Sequence, residues 1–458
     1  MIPPEILVLI SEHFKFAMAA RFLSCFGIVV DANHMPSVVC GANSEQLQMF
    51  VDKGVNYSVR SYFLKRRAPR PDIHLMHCFP RLLRLSTRYE IFGSDLTHLQ
   101  IGSVKSLQNV LDQCAALQRL RVDWRYEELG DLTLRHVRLV HLNLNAMHAG
   151  NIVIEMKNLE HFTCFGPFSK VQVNSKKLKK LFTGCALSDW TFDCAQTIQC
   201  CVQSEKDVAR LEQLNARDLH LTWSNARITR YHSFFEVITT LSSSPEIASA
   251  LLPFLHRLRV LSICGEDNEK LALVKCKCVL DQLNLIDVDI DCSVLDSFAH
   301  TRSVFFESCN KEKTLDVSAL SHTEKIKSRQ STGNLVGYQG LMNLRHLDVF
   351  SNNQKLECQN MRLKTLFTNN GASVLCSTLK KLRIFTFAPY SFDFAKCAQL
   401  EYVDISCSID FESLLKNIGQ LRTIRLKDDL TLHQKDELKR KGYRMAEKSG
   451  KVKFCRSI

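Results

Sequence analysis

The residues able to do covalent or metal chemistry are spread thin along the chain. Cysteine is frequent, with 19 in 458 residues. Yet the closest spacings, Cys200 beside Cys201 and Cys276 two before Cys278, are not the C-x2-C step from which zinc sites are built, and no second pair supplies the other ligands. His13, His34, His74, His77 and His98 follow no metal-ligand spacing. There is no P-loop, no G-x-S-x-G elbow, no H-E-x-x-H helix and no glycine-rich dinucleotide turn. The expectation is a protein that is not an enzyme and holds no metal or other cofactor. An odd number of cysteines without an even framework fits reduced thiols, which points to a cytoplasmic or nuclear protein.

What remains is the chemistry of binding. Lys plus Arg number 60 against 47 Asp plus Glu, a net charge of +13 that biases the chain toward acidic partners. Hydrophobic residues at 45% and charged residues at 23%, with 17 Gly and 10 Pro, exclude a disordered or low-complexity chain. The longest apolar stretches, Ile6 to Ile10 and Phe22 to Val30, are too short or too interrupted to span a bilayer, so no membrane association is expected. Pro3, Pro4 and Glu5 follow the initiator where a signal peptide would carry basic residues, which argues against secretion.

Binding residues need elements to present them, and here the chain is repetitive. The pattern L-x-x-L-x-L, with Ile, Val or Phe as substitutes, recurs in nine full copies, among them Leu117, Leu120, Val122; Leu258, Leu261, Ile263; and Leu344, Leu347, Val349. Weaker copies centre on Phe162, Leu181, Cys201, Leu219, Val304, Ile326 and Leu366, giving sixteen units with steps mostly of 18 to 22 residues. A double step of 42 residues between Leu219 and Leu261 holds either a decayed repeat around Leu241 or a helical insertion. The polar stretch Ser321 to Gly340 reads as an exposed loop over a weak repeat. Each unit is a short strand plus a return segment that buries its apolar side only against the next copy.

This pattern resembles the leucine-rich repeat family over residues 96 to 430. The resemblance implies an α/β fold, a curved solenoid with short parallel strands on the concave face. The Asn or Cys that ends the family's strand is kept at Asn352 but is Arg125, Met147, Glu266, Val288, Phe387 and Asp429 in other copies, so the repeat is irregular.

In stacked strands the apolar triplet points inward, and the residues between its members, plus the one after, face out. In the earlier copies those positions hold His98, Arg119, Arg121, His141, Asn143 and His161, and in the later ones an aromatic and basic set. A row of outward aromatic rings among cations is a liability unless something covers it. The candidate substrate-binding residues are therefore Phe305, Arg329, Phe350, Phe367, Lys381, Arg383, Phe385 and Tyr402, suited to a protein surface that is acidic or phosphorylated.

Solenoid ends need caps. At the N-terminus Ile6, Leu9, Ile10 and Phe14 fall on one helical face behind Pro3 and Pro4, with Glu5 in the first turn, and Phe22 and Leu23 suggest a second helix. This segment is similar to the start of an F-box, L-P-x-E-I-L-x-x-I, with Ile2 in place of the first Leu; the second-helix Trp of that family is absent. The resemblance implies adaptor binding through Ile2, Pro3, Glu5, Ile6, Leu9, Ile10, Phe14, Phe22 and Leu23. The expected organisation is an F-box-like helical segment at 1–40, a connector and cap at 41–95, about sixteen repeats at 96–430, and a basic C-terminal cap at 431–458 pinned by Tyr443, Met445 and Val452.

Together the two resemblances imply the substrate-recognition subunit of a cullin-type (SCF) ubiquitin ligase, with a Skp1-like adaptor at one end and a protein substrate on the repeats. A plain repeat scaffold binding an acidic protein is the alternative, and RNA or phosphate binding on the basic face ranks below both.

Overall fold

The structure, a computed structural model, describes residues 82–86 and, with short breaks, 95–456, together with the backbone of two three-residue strands, Val38–Cys40 and Ser61–Phe63. The chain divides into two units, Met1–Leu219 and His220–Ile458.

In the first unit the apolar triplets become the strands of one parallel ladder. Leu85, Leu99, Leu120, Leu142, Phe162, Leu181 and Ile198 face one another in consecutive pairs. All are at most 3% exposed, as alternation on a strand requires when two apolar residues two apart share the buried face. The register is locked by a recurring bond: one carbonyl of each repeat accepts from two successive amides of the next. The Val140 oxygen takes the N–H groups of Glu160 and His161 at 2.9 and 3.0 Å, and the Glu160 oxygen those of Lys179 and Lys180 at 2.8 and 3.0 Å.

The ladder begins upstream of residue 96, because Val38–Cys40, Ser61–Phe63 and Arg84–Ser86 pair in the same parallel sense. One unit is also shifted. Leu181 pairs with Ile198 rather than with Cys201, which enters only beyond an irregularity, opposite Ala186. The run Ile198, Cys200, Cys201, Val202 is buried throughout, so its periodicity does not reveal which residue faces in.

The return segments alternate between helices and strands. Helices Leu107–Gln113 and Glu205–Glu212 start at Ser106 and Ser204, whose hydroxyls accept from the third amide of the helix. Elsewhere Leu132–Arg135, the end of His141–Glu155, Phe168–Asn174 and Trp190–Phe192 form a second parallel row.

In the second unit Leu241, Leu261, Leu283, Val304, Ile326, Leu347, Leu366, Leu382, Val403 and Ile424 continue such a ladder, each 0% exposed. The double step resolves here. Leu241 lies on a ladder strand, Ile238–Ser243, and helix Pro245–Leu251 follows it as a return segment. The stretch read as an exposed loop over a weak repeat holds that repeat's ladder strand, Lys325–Arg329, with Ile326 and Ser328 buried, and Asn334–Val336 pairs with Thr314–Asp316 in a separate two-stranded row. Its charges alternate with buried residues, as the weak copy centred on Ile326 implies.

The C-terminal edge is closed by reversal of direction. Lys451–Arg456 pairs antiparallel with both Thr423–Lys427 and Tyr443–Lys448, and helix Leu432–Arg440 precedes this hairpin, with Thr431 and Gln434 forming its capping box. Tyr443 and Val452 are buried, the Tyr443 hydroxyl donating to the Leu421 carbonyl at 2.5 Å. Met445 is 37% exposed; Phe454, its cross-strand partner, is buried instead. Among the described residues no helix is long and apolar enough to cross a membrane.

The described residues thus form an α/β repeat fold of the leucine-rich-repeat type. The family's Asn/Cys position is occupied in the copy centred on Val304, where buried Cys309 donates its thiol to the Leu285 carbonyl at 3.1 Å. Burial pushes that thiol up to about 11. Asn352 lies outside the described residues.

Candidate functional site

On the outer side of the second ladder, the residue after each buried marker forms a row across successive strands: Phe305, Lys327, Asp348, Phe367, Arg383, Asp404 and Arg425. Strands about 4.8 Å apart place neighbours in this row in side-chain contact.

Arg383 is the hub. Its guanidinium carbon lies 5.2 Å from the Phe367 ring centroid and 5.5 Å from that of Phe385, and its Nε donates to Asp404 Oδ2 at 3.0 Å. The Tyr402 hydroxyl donates to the same oxygen at 3.2 Å, and Arg425 stands 5.8 Å from the Tyr402 ring. Phe385 in turn meets Phe350 at 6.2 Å, and Arg329 lies 5.9 Å from the Phe350 ring while its Nη2 approaches Asp348 Oδ2 at 3.9 Å. All four of these rings are half-buried, with one side against neighbours.

The two carboxylates are sunk beneath the cations. The Asp404 side chain is 2% exposed and that of Asp348 11%, whereas Arg383 and Arg329 are 34% and 51% exposed. What faces outward is therefore positive charge beside aromatic rings, with Arg329 and Arg383 within cation–π reach of a ring and a carboxylate behind each. Such a surface holds carboxylate or phosphate groups of a partner while covering its apolar rings.

Of the residues expected from sequence, Arg329, Phe350, Phe367, Arg383, Phe385 and Tyr402 come together in this network. Phe305 stands on the strand next to that of Arg329, half-buried between Asn284 and Lys327, and Lys381 is exposed at the start of its strand; neither joins it. Ile2, Pro3, Glu5, Ile6, Leu9, Ile10, Phe14, Phe22 and Leu23 lie outside the described residues. Asp348, Asp404 and Arg425 belong to the network but not to the candidate set; the two acids fall outside a search for aromatic and basic side chains. Their signal is positional, since all three hold the place immediately after the marker.

Burial raises the Asp348 carboxyl above the usual aspartate range, against the pull of Arg329, Lys327, Lys325 and Arg383. Its Oδ1 is buried without a hydrogen-bond partner. An acid whose folded pKa exceeds its unfolded one costs stability once pH rises past the unfolded value. Asp348→Asn is therefore expected to raise the melting temperature at pH 7.5, with a gain that shrinks as pH falls toward 4.5. An equal shift at both pH values would refute this cause.

Among the described residues no group of three or more His, Cys, Asp or Glu is placed to hold a metal ion. Cys276 and Cys278 are half-buried, and the Cys278 thiol donates to the Leu255 carbonyl at 2.7 Å.

No family model matches the chain, and no curated protein does. Among solved structures, it is similar to the crystal structure of CroV588, described as a novel circular LRR protein, at 14% identity over 82% of this chain and 54% of that one, with a TM-score of 0.33. The chain spans about half the length of that structure. The leucine-rich-repeat character stands on the chain's own ladder and triplets.

Proposed function

We propose that this chain is a protein-interaction scaffold whose second unit grips an acidic or phosphorylated segment of a partner protein. The observation that carries this reading is Arg383 held between Phe367 and Phe385 with Asp404 behind it. Arginines and half-buried aromatic rings are the side chains from which interface hot spots are made. The scaffold contributes proximity rather than bond chemistry of its own. The test is affinity capture with the full chain and with Phe350→Ala plus Phe385→Ala. Loss of a specific bound protein from the variant is expected, and an unchanged set would end the proposal.

A narrower reading follows from the F-box-like residues Ile2 to Leu23. In it the chain is the substrate-recognition subunit of an SCF-type ubiquitin ligase in the cytoplasm or nucleus, with a Skp1-like adaptor on the N-terminal segment. Ile6→Asp with Leu9→Asp is expected to abolish co-purification of the adaptor, because a carboxylate in an apolar interface lacks a partner. A chain that never binds the adaptor leaves the scaffold and removes the ligase role. Binding to single-stranded RNA that falls steeply with salt would favour the nucleic-acid alternative instead.

A further inference from the structure

The first unit carries a second outward row, unused by the reading above and independent of it. The residues just before the buried markers, Arg84, His98, Arg119, His141, His161 and Lys180, face one another on consecutive parallel strands. Arg84, His98, Arg119, Arg121 and His141 line a groove of about 340 Å³ floored by Leu85, Leu99 and Leu120. The other described lining groups are Ser86, Gln100 and Asn143, and among the described residues no carboxylate lines it. The acids nearby are engaged elsewhere. Asp123 accepts from Asn145 Nδ2 at 3.1 Å, and Glu160 pairs with Lys179 at 2.8 Å.

The histidines are held in place rather than free to swing. The Thr97 hydroxyl donates to the Leu83 carbonyl at 3.1 Å, so its 2.9 Å contact with His98 Nδ1 places the proton on that nitrogen. Neutral His98 then has only a bare acceptor at Nε2, and protonation turns that atom into a donor. The His141 ring stacks on His161 with centroids 4.3 Å apart.

We infer that this groove binds the phosphorylated side chain of a phosphoserine or phosphothreonine peptide, with Arg84, Arg119 and Arg121 on the phosphoryl oxygens and His98 and His141 as donors that engage on protonation. Three guanidinium groups within three adjacent strands, about 10 Å, concentrate charge on one dianion rather than spacing it along a backbone. The polar side chains beside them suit peptide amides. Among the described residues the lining has no Phe, Tyr or Trp on which successive bases would stack.

Proton linkage follows from the groups that face the rings. Burial holds His98 below its ordinary pKa, as do Arg84 and Arg119; burial likewise lowers His141, with His161 and Arg119 adding to it and Glu160 opposing. A bound dianion offsets those arginines and favours the charged rings, so binding takes up protons and tightens as pH falls.

The test captures a degenerate phosphoserine peptide library on the immobilised full chain. An enriched peptide is then measured by fluorescence polarisation beside its dephosphorylated and glutamate forms and oligouridylate. Expected are at least tenfold weaker binding of the unphosphorylated and glutamate forms, and loss of binding in Arg119→Gln with Arg121→Gln. Both arginines are exposed, and unchanged circular dichroism confirms that the variant folds. Affinity should rise at least threefold from pH 8.0 to 6.5, and that rise should flatten in His98→Gln with His141→Gln. No enrichment, equal affinity for the glutamate form, or tighter binding of oligouridylate displaced by the arginine variant would overturn the site. Failure here leaves the second-unit proposal standing, since Phe350 and Phe385 are tested separately.

Discussion

Asn310→Ala is expected to destabilise the second unit by about 3–7 kcal/mol, the largest effect of any single polar substitution proposed. Asn310 is 5% exposed, and its amide closes a two-way bridge to the preceding repeat: Oδ1 accepts from the Ile290 N–H at 2.7 Å, and Nδ2 donates to the Ile290 carbonyl at 2.8 Å. Alanine leaves both buried main-chain groups without partners, each worth about 1–3 kcal/mol. The backbone adds to this. Asn310 has φ of +49°, a left-handed conformation that asparagine tolerates and that costs alanine about 1 kcal/mol. Asn310→Gly separates the two contributions, because glycine accepts the angle but not the bonds, and it should recover only that last portion. Chemical denaturation followed by circular dichroism, with hydrogen exchange at the Ile290 amide, measures both variants. A loss below about 1 kcal/mol for alanine would show that water replaces the bridge.

The second large effect is on binding. Arg383→Ala should weaken capture of the partner by at least about 30-fold, near 2 kcal/mol, the threshold of an interface hot spot. It should also lower stability by about 2 kcal/mol. The Asp404 side chain, 2% exposed, would lose its guanidinium and keep only the Tyr402 hydroxyl among the bonds named above. Breaking a buried pair costs about 3–5 kcal/mol, reduced here because Arg383 itself is 34% exposed. Arg383→Lys distinguishes the two roles. An ammonium still neutralises Asp404 but presents no flat face to Phe367 and Phe385, so stability should return while binding does not. A lysine variant that binds like the parent chain would mean that charge alone serves, and the stacked geometry would lose its assigned purpose.

The ladder was legible because its signal is redundant. Leu120, Leu142, Leu261 and Leu347 each recur at the same place in a triplet, and all four are at most 2% exposed. Redundancy fails where buried residues run on without alternation, as at Cys200, Cys201 and Val202, so that Ile198 rather than Cys201 pairs on the ladder; it holds even at Ile326, between the outward charges Lys325 and Lys327. The strand-ending position at Cys309 escaped notice because its triplet, Thr301, Val304, Phe306, opens on a polar residue, although Thr301 is buried like the leucines it replaces.

By itself the order of residues determined that a parallel stack forms, which side chains line its interior, and that aromatic and basic groups share its outer row. These follow from local periodicity, since the two-residue alternation of a strand sorts inward from outward without reference to distant segments. Only the tertiary structure decided that Asp348 and Asp404 sink beneath Arg329 and Arg383, that Phe350 meets Phe385 past the intervening ladder strand Thr365–Thr368, and that Arg84, His98 and Arg119 converge on one groove. Those are contacts between repeats. The length and path of each return segment set which residues come to lie opposite one another, and hydrophobic periodicity within a repeat carries no record of it.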